Sequence, residues 1–166
     1  MKSGAGTMKL ALALLLCLSA ACASAAEGIK PFVRGSHQQI VSARAGKPFI
    51  LSFWSLTCTN CVDDLVLFGK LAKKYHELDL VFVATDTPEQ KQEIAKTLQR
   101  YRLQNKESWV FADSFAERLR YEVDPQWYGE LPRTYFFDAQ GVSIAISGKV
   151  ERDQVEQWIK ANARHK

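Results

Sequence analysis

The chain has 166 residues, 47% of them hydrophobic and 11% aromatic, with a formal net charge of +4. This composition supports one core of ordinary size and excludes a disordered chain. The charge is mild, with no basic block and no basic-aromatic interleaving, so nothing points to a nucleic-acid partner.

Residues 1–26 differ from the rest. Lys2 and Lys9 make a short positive start, Leu10 to Leu18 is an apolar run too short to span a bilayer as a mature helix, and small residues follow. The pattern predicts an export signal, leaving 27–166 as one domain. Two processing routes fit. Cleavage after Ala23-Ser24-Ala25 or Ser24-Ala25-Ala26 releases a soluble protein, whereas Ser19-Ala20-Ala21-Cys22 reads as a degenerate lipobox with a lipid anchor at Cys22. Either route places the mature protein in the periplasm or cell envelope.

In the mature chain, Phe32-Val33 and Gln39-Ile40-Val41 read as short strands separated by a turn at Arg34-Gly35-Ser36. Phe49 to Trp54 is almost continuously apolar, as in a strand buried on both faces. Val62, Leu65, Phe68, Ala72 and Tyr75 recur at helical spacing and predict a helix to about His76. Leu78 to Ala84 is a second buried strand. Thr87-Pro88-Glu89-Gln90 carries a capping box with Pro in the first turn, leading into a helix with Ile94, Leu98 and Tyr101 on one face. Trp109 to Ala112 is a third strand, and Ser114-Phe115-Ala116-Glu117 is a second capping box, opening a short helix through Leu119 that ends before Asp124-Pro125. Arg133 to Phe137 and Val142 to Ile146 predict a hairpin around Asp138-Ala139-Gln140-Gly141, and Val155, Trp158, Ile159 and Asn162 mark a final helix. Alternating strands and helices, then a hairpin and a helix, predict an α/β fold: a mixed sheet flanked by helices.

The chemistry centres on Cys58-Thr59-Asn60-Cys61. Cys17 and Cys22 lie in the leader, so these are the thiols of a soluble mature form. A disulfide across two residues closes almost no loop and stabilises little, which leaves reactivity as the better reason for the pair in an oxidising compartment. At the start of a helix, Cys58 faces unpaired N–H groups and the positive end of the dipole, which favour thiolate. Cys58 is the expected nucleophile, and Cys61, one turn further in, the resolving thiol. A zinc site needs about four ligands, and one C-x-x-C with scattered His37, His76 and His165 does not supply them. A Cys–His hydrolase built on Cys58 and His76, and an inert buried pair, are the other readings of the same residues.

Ser52-Phe53-Trp54, Cys58-Thr59-Asn60-Cys61 and Leu131-Pro132-Arg133-Thr134-Tyr135-Phe136-Phe137-Asp138 together resemble the thioredoxin superfamily, in particular its exported TlpA/ResA-like branch. The resemblance covers about residues 30 to 163, including the extra helix-strand unit at 88 to 112 that this branch inserts. It implies a cis Pro132 beside the dithiol, with Leu131 offering backbone hydrogen bonds to an extended client peptide. It also implies disulfide-bearing envelope proteins as clients, apocytochrome c among them, a membrane thiol electron donor, and no bound organic cofactor. Trp127 and Tyr128, just upstream of that loop, are candidates for an apolar lip.

Some positions depart from the family pattern. Thr57, Asn60 and Val62 stand where Trp, Pro and a basic residue are common. Prototype thioredoxins carry a buried Asp where this chain has Ser52, which cannot take a proton near neutral pH. ResA-like members carry a Glu at the position of Asp64, one helical turn beyond Cys61, so Asp64 is the favoured proton acceptor and Glu130 the alternative. A solvated Asp63/Asp64 pair at the helix start is the plain reading. Two further functional readings stay open: a peroxide-reducing redoxin through Thr57-Cys58, and a non-catalytic module that holds a client or metal in the same groove.

Overall fold

The computed structural model describes residues 28–162. The expected export signal, its cleavage sites and Cys22 lie outside the described residues. The elements in chain order are β1 (Ile29–Phe32), α1 (Ser36–Ser42), β2 (Phe49–Trp54), α2 (Thr59–Lys74), β3 (Leu80–Ala84), a 3₁₀ turn (Pro88–Gln90), α3 (Lys91–Arg100), β4 (Glu107–Phe111), α4 (Ala116–Val123), β5 (Arg133–Phe137), β6 (Ser143–Ser147) and α5 (Arg152–Asn162).

The strands form one sheet in the order β1-β4-β3-β2-β5-β6. The β1/β4, β4/β3 and β3/β2 pairs are parallel, and β2/β5 and β5/β6 are antiparallel. The mixed sheet with helices on both faces is therefore as expected, and the helix-strand unit at 88–112 places β4 between β3 and β1. Alternation along β2 sorts the core into two layers. Ile50 and Trp54 face Leu65, Phe68 and Leu71 of α2, Ile94 and Leu98 of α3, and Val155 and Ile159 of α5. Phe49, Leu51 and Phe53 face Ile40 of α1 and Leu119 of α4. Every residue of β2 is buried, which is why its sequence reads as an unbroken apolar run.

Two expected elements are corrected. Gln39-Ile40-Val41 is helical, part of α1. Gly35 at φ 85 turns the chain, the Ser36 Oγ accepts the Val33 N–H at 2.9 Å, and the helix then buries only Ser36 and Ile40. A short apolar pair does not tell a strand from one helical turn. The capping box at Ser114 does not form either. The Asp113 carboxylate accepts the Phe115 N–H at 2.9 Å, Phe115 becomes the residue before the helix, and α4 runs on to Val123. By contrast, the Gln90 side chain does reach back to the Thr87 N–H at 3.2 Å, as the first box predicts.

Candidate active site

The C-terminal end of β2 delivers the chain to the dithiol. Thr85, just past β3, holds that end by donating its N–H to the Trp54 carbonyl at 2.9 Å. After a short loop, Cys58 takes an extended backbone (φ -87, ψ 103) as the N-cap of α2, and its sulfur accepts the Cys61 N–H at 3.2 Å. Cys58 and Cys61 are joined in a disulfide with their Cα atoms 5.3 Å apart. Cys61 is 1% exposed, whereas Cys58 is half-buried and flanked by exposed Thr57 and Thr59. The accessible sulfur is thus the one at the helix terminus, where N–H groups and the dipole favour a thiolate once the bond is reduced.

The register brings the cis-proline to the same place. Phe53 pairs with Arg133, so Pro132 continues β5 toward the end of β2 from which the dithiol loop springs. The Leu131–Pro132 bond is cis, and Gly148 donates its N–H to the Pro132 carbonyl at 2.8 Å. Leu131 packs against both core layers while lying outside the strand itself.

Asp64 is 2% exposed on the inner face of α2, next to Leu65 in the core, so it is not part of a solvated acidic pair. Only Asp63 points outward, paired with Lys149 at 3.0 Å. The Asp64 Oδ1 accepts the Val150 N–H at 3.1 Å, and Oδ2 is buried with no hydrogen-bond partner among the described residues. Burial pushes its carboxyl up to about 6, against the Val150 hydrogen bond and with help from the Asp63 charge. Glu130 is tied up differently: its carboxylate accepts from the Ser147 hydroxyl at 2.7 Å and lies 3.6 Å from the Arg133 guanidinium. Burial acts upward on Glu130, but the Ser147 bond and the Arg133 charge outweigh it and hold it below the ordinary carboxylate range.

Of the two candidates for an apolar lip, only Tyr128 is exposed. Trp127 is 3% exposed, its ring centroid 4.7 Å from that of Phe53, and its indole N–H donates to the Glu130 carbonyl at 2.9 Å. It is a core side chain with its polar edge satisfied. Tyr128, at 89% exposed, is the one that faces solvent. The Thr57 hydroxyl is also accounted for, 2.9 Å from that of Ser55.

Sequence reasoning missed Asp86. This buried carboxylate, two residues past β3, accepts the Leu56 N–H at 3.0 Å and the Ser55 hydroxyl at 3.2 Å, tying down the dithiol loop. The available signal was an acid just beyond the carboxyl end of a buried parallel strand, where α/β sheets place their sites. Among the described residues no group of three or more His, Cys, Asp or Glu is placed to hold a metal ion, and no helix is long and apolar enough to cross a membrane.

No family model matches the chain, and no curated protein does. Solved structures do match. One is a secreted Mycobacterium tuberculosis disulfide oxidoreductase homologous to E. coli DsbE, at TM-score 0.58 and 20% identity over 72% of this chain and 85% of that one. A second is a thiol:disulfide interchange protein of the thioredoxin family from Chlorobium tepidum, at TM-score 0.58 and 18% identity over 73% and 83%. A third is the M. tuberculosis protein DsbF, solved in mixed oxidised and reduced forms, at TM-score 0.53 and 20% identity over 72% and 84%. The fold is thioredoxin-like. Within a thioredoxin-like fold, a disulfide caps α2 and a cis-proline lies at the end of the neighbouring strand, with buried Asp64 one helical turn beyond Cys61 and exposed Tyr128 following the core side chain Trp127 upstream of the proline.

Proposed function

We propose that this protein is an exported thiol:disulfide oxidoreductase that works through Cys58 and Cys61. The observation that carries the reading is the pairing of a half-buried sulfur at a helix N-terminus with a fully buried one three residues on. That asymmetry suits an attacking and a resolving thiol. In the reduced protein the Cys58 thiolate attacks one sulfur of a client disulfide, forming a mixed disulfide and releasing the other client sulfur as a thiolate that takes up a proton. Cys61 then loses its proton and attacks the Cys58 sulfur, which breaks the mixed disulfide. The client leaves as a dithiol and the protein carries the Cys58–Cys61 bond, two electrons having passed to the client.

Asp64 is the proton acceptor for Cys61. It lies one helical turn from that thiol, with an unpartnered oxygen and a carboxyl titrating near neutrality, which suits a group that must take and return a proton at physiological pH. Glu130, held below the ordinary range and bound to Ser147 and Arg133, suits the task less. An extended client segment would lie along Leu131 and Pro132, with Tyr128 as its apolar contact.

The preferred direction is reduction of disulfides in envelope proteins, apocytochrome c being a candidate client. An envelope reductase needs a membrane thiol donor to recharge it, since its surroundings keep thiols oxidised. A lipid anchor at Cys22 would hold it near that donor. The similarity to a secreted oxidoreductase and to a thiol:disulfide interchange protein supports this reading. The test is a Cys61→Ser protein expressed in the envelope: it should accumulate client adducts through Cys58 that dissolve in dithiothreitol. No adduct above the Cys58→Ser background would refute the proposal. A redox titration then decides direction, a potential near −270 mV supporting reduction and one near −120 mV opposing it, by comparison with thioredoxin and DsbA at roughly those values.

A further inference from the structure

The loop between β2 and the dithiol hangs on a carboxylate that neither thiol exchange nor proton transfer to Asp64 employs. Asp86 is 9% exposed. Its Oδ1 accepts from the Ser55 hydroxyl and the Leu56 N–H, each at 3.2 Å, and its Oδ2 accepts from the same N–H at 3.0 Å. The network continues toward the sulfur. The Ser55 hydroxyl, having given its proton to Asp86, accepts the Thr57 N–H at 3.1 Å, and the Ser55 carbonyl accepts the Cys58 N–H at 3.2 Å. Consecutive amides of Leu56, Thr57 and Cys58 are therefore aimed at Asp86 and the residue it anchors, not at the Cys58 sulfur.

Resting on the oxidoreductase reading above, we propose that Asp86 is a positioning residue for the dithiol: it fixes the Ser55–Cys58 loop, and its negative charge restrains ionisation of Cys58 and so makes the protein a stronger reductant. The Leu56 N–H and the Ser55 hydroxyl both turn toward this carboxylate, and hydrogen bonds of that kind favour its ionised form. Among the described residues no charged group acts on it: burial pushes the carboxyl above the ordinary carboxylate range, against the Leu56 N–H, the Ser55 hydroxyl and its own N–H. Other charged groups at this end of the sheet are Asp113 past β4, Arg34 past β1, Glu89 and Lys91 in the turn that follows Asp86, Asp64 on α2, Asp63 paired with Lys149, and Glu130 with Arg133. None of them is bonded to the loop. A like charge close to a developing thiolate disfavours it, and a less stable thiolate shifts the equilibrium toward the disulfide. The reaction read is protein disulfide plus two glutathione thiols going to protein dithiol plus one glutathione disulfide.

The experiment compares the full chain with its Asp86→Asn and Asp86→Ala variants. The amide oxygen of Asn still accepts the Leu56 N–H but carries no charge. For Asp86→Asn, the thiolate absorbance at 240 nm should show Cys58 ionising about 0.5 to 1 pH unit lower, and the glutathione equilibrium should move roughly three- to tenfold toward the dithiol, tenfold being about 30 mV. Asp86→Ala should do the same and in addition speed hydrogen exchange at Leu56 and Thr57. A purely structural Asp86 would lower the melting temperature of Asp86→Asn and leave the Cys58 titration in place, and that result overturns the proposal. A second readout needs no Asp86 variant: in the wild-type chain the Asp86 carboxyl carbon resonance should move as Cys58 titrates and stay still in Cys58→Ser. Its failure to move in wild type also overturns the proposal. Should the wild-type protein fail to exchange with glutathione at all, the oxidoreductase reading itself falls, an outcome separate from either of these.

Discussion

The Ser52 hydroxyl lies 3.3 Å from that of Thr134, the two residues facing each other across the antiparallel pair β2 and β5 with both side chains buried. Each hydroxyl satisfies the other in the middle of the sheet, so the site that holds an acid in prototype thioredoxins is here neutral and closed. Asp64 on α2 and Asp86 past β3 are the buried acids of the described residues. Removing one partner leaves the other hydroxyl buried and unpaired, at a cost of about 1–3 kcal/mol. Ser52→Ala should therefore lower the urea midpoint by a matching amount and leave the rate of thiol exchange with a model disulfide unchanged within about twofold. A tenfold loss of rate would mean that the hydroxyl pair takes part in proton transfer.

Asp64 should leave a signature in stability as well as in rate. Burial holds its carboxyl at about 6 in the folded protein against an ordinary value of 3.8. The folded state therefore holds the proton more tightly, and the contribution of Asp64 to stability falls as pH rises from about 4 to 6 and is level above that. The difference corresponds to roughly 3 kcal/mol, by the usual value of about 1.4 kcal/mol per pH unit. Asp64→Asn lacks this titration, so its stability relative to wild type should rise by about that amount between pH 3.5 and 7.5, whatever the constant offset from the new amide. Urea melts of the oxidised proteins at those two pH values measure it. In the same variant, resolution of a preformed mixed disulfide at pH 7 should slow by about 10²-fold or more, the usual scale for a lost general base. A flat stability difference would remove Asp64 from the mechanism.

How much of this was legible depended on whether one residue type at one spacing carried the signal. Phe49 to Trp54 was readable to the residue because a strand buried on both faces needs apolar side chains at successive positions. The dithiol was readable because few other roles explain a lone C-x-x-C in an oxidising compartment, and the cis-proline because Leu131-Pro132 resembles the thioredoxin pattern. Ile40-Val41 was not, since burial of a single side chain sufficed for α1 and left no periodicity to detect. At Ser114 the pattern was present, but Asp113 bonds the Phe115 N–H and the helix begins one residue later, with Phe115 before it. Trp127 and Tyr128 are adjacent and chemically alike, and only the tertiary packing on Phe53 separates the buried ring from the exposed one. Asp86 was invisible for a related reason: its bonds to Ser55 and Leu56 span about thirty residues and depend on β3 lying beside β2.

That separation of the two aromatics predicts opposite phenotypes. Trp127→Ala empties a core position and strands the Glu130 carbonyl, and should cost about 3–5 kcal/mol, the usual range for a buried aromatic. Tyr128→Ala should change stability by less than about 0.5 kcal/mol, as at other exposed positions. If Tyr128 contacts clients, the same substitution should weaken capture of clients by the Cys61→Ser protein while leaving reduction of a small disulfide unchanged. Equal effects on protein and small-molecule substrates would count against the contact.

Gly69, midway along α2, allows the end of α3 to approach closely. A Cβ built at that position would clash with the Tyr101 carbonyl oxygen, a backbone atom with little freedom to retreat. Tyr101 closes α3 by donating to the Thr97 carbonyl at 3.2 Å, Arg102 follows in the left-handed region at φ 62, and fully buried Leu103 donates to the Leu98 carbonyl at 2.8 Å. Pushing Tyr101 outward would drag this whole turn and lift Leu103 from the core. In an open helix, Ala in place of Gly stabilises by about 1 kcal/mol. Here the overpacking penalty, roughly 1–3 kcal/mol for a strained core, opposes it and should dominate because the clash is with backbone. Gly69→Ala should therefore lower the thermal midpoint while leaving the glutathione equilibrium at the wild-type value, since the position is two turns of α2 beyond Cys61. A midpoint above wild type would show that α2 and the α3 turn separate at little cost, contrary to the packing described.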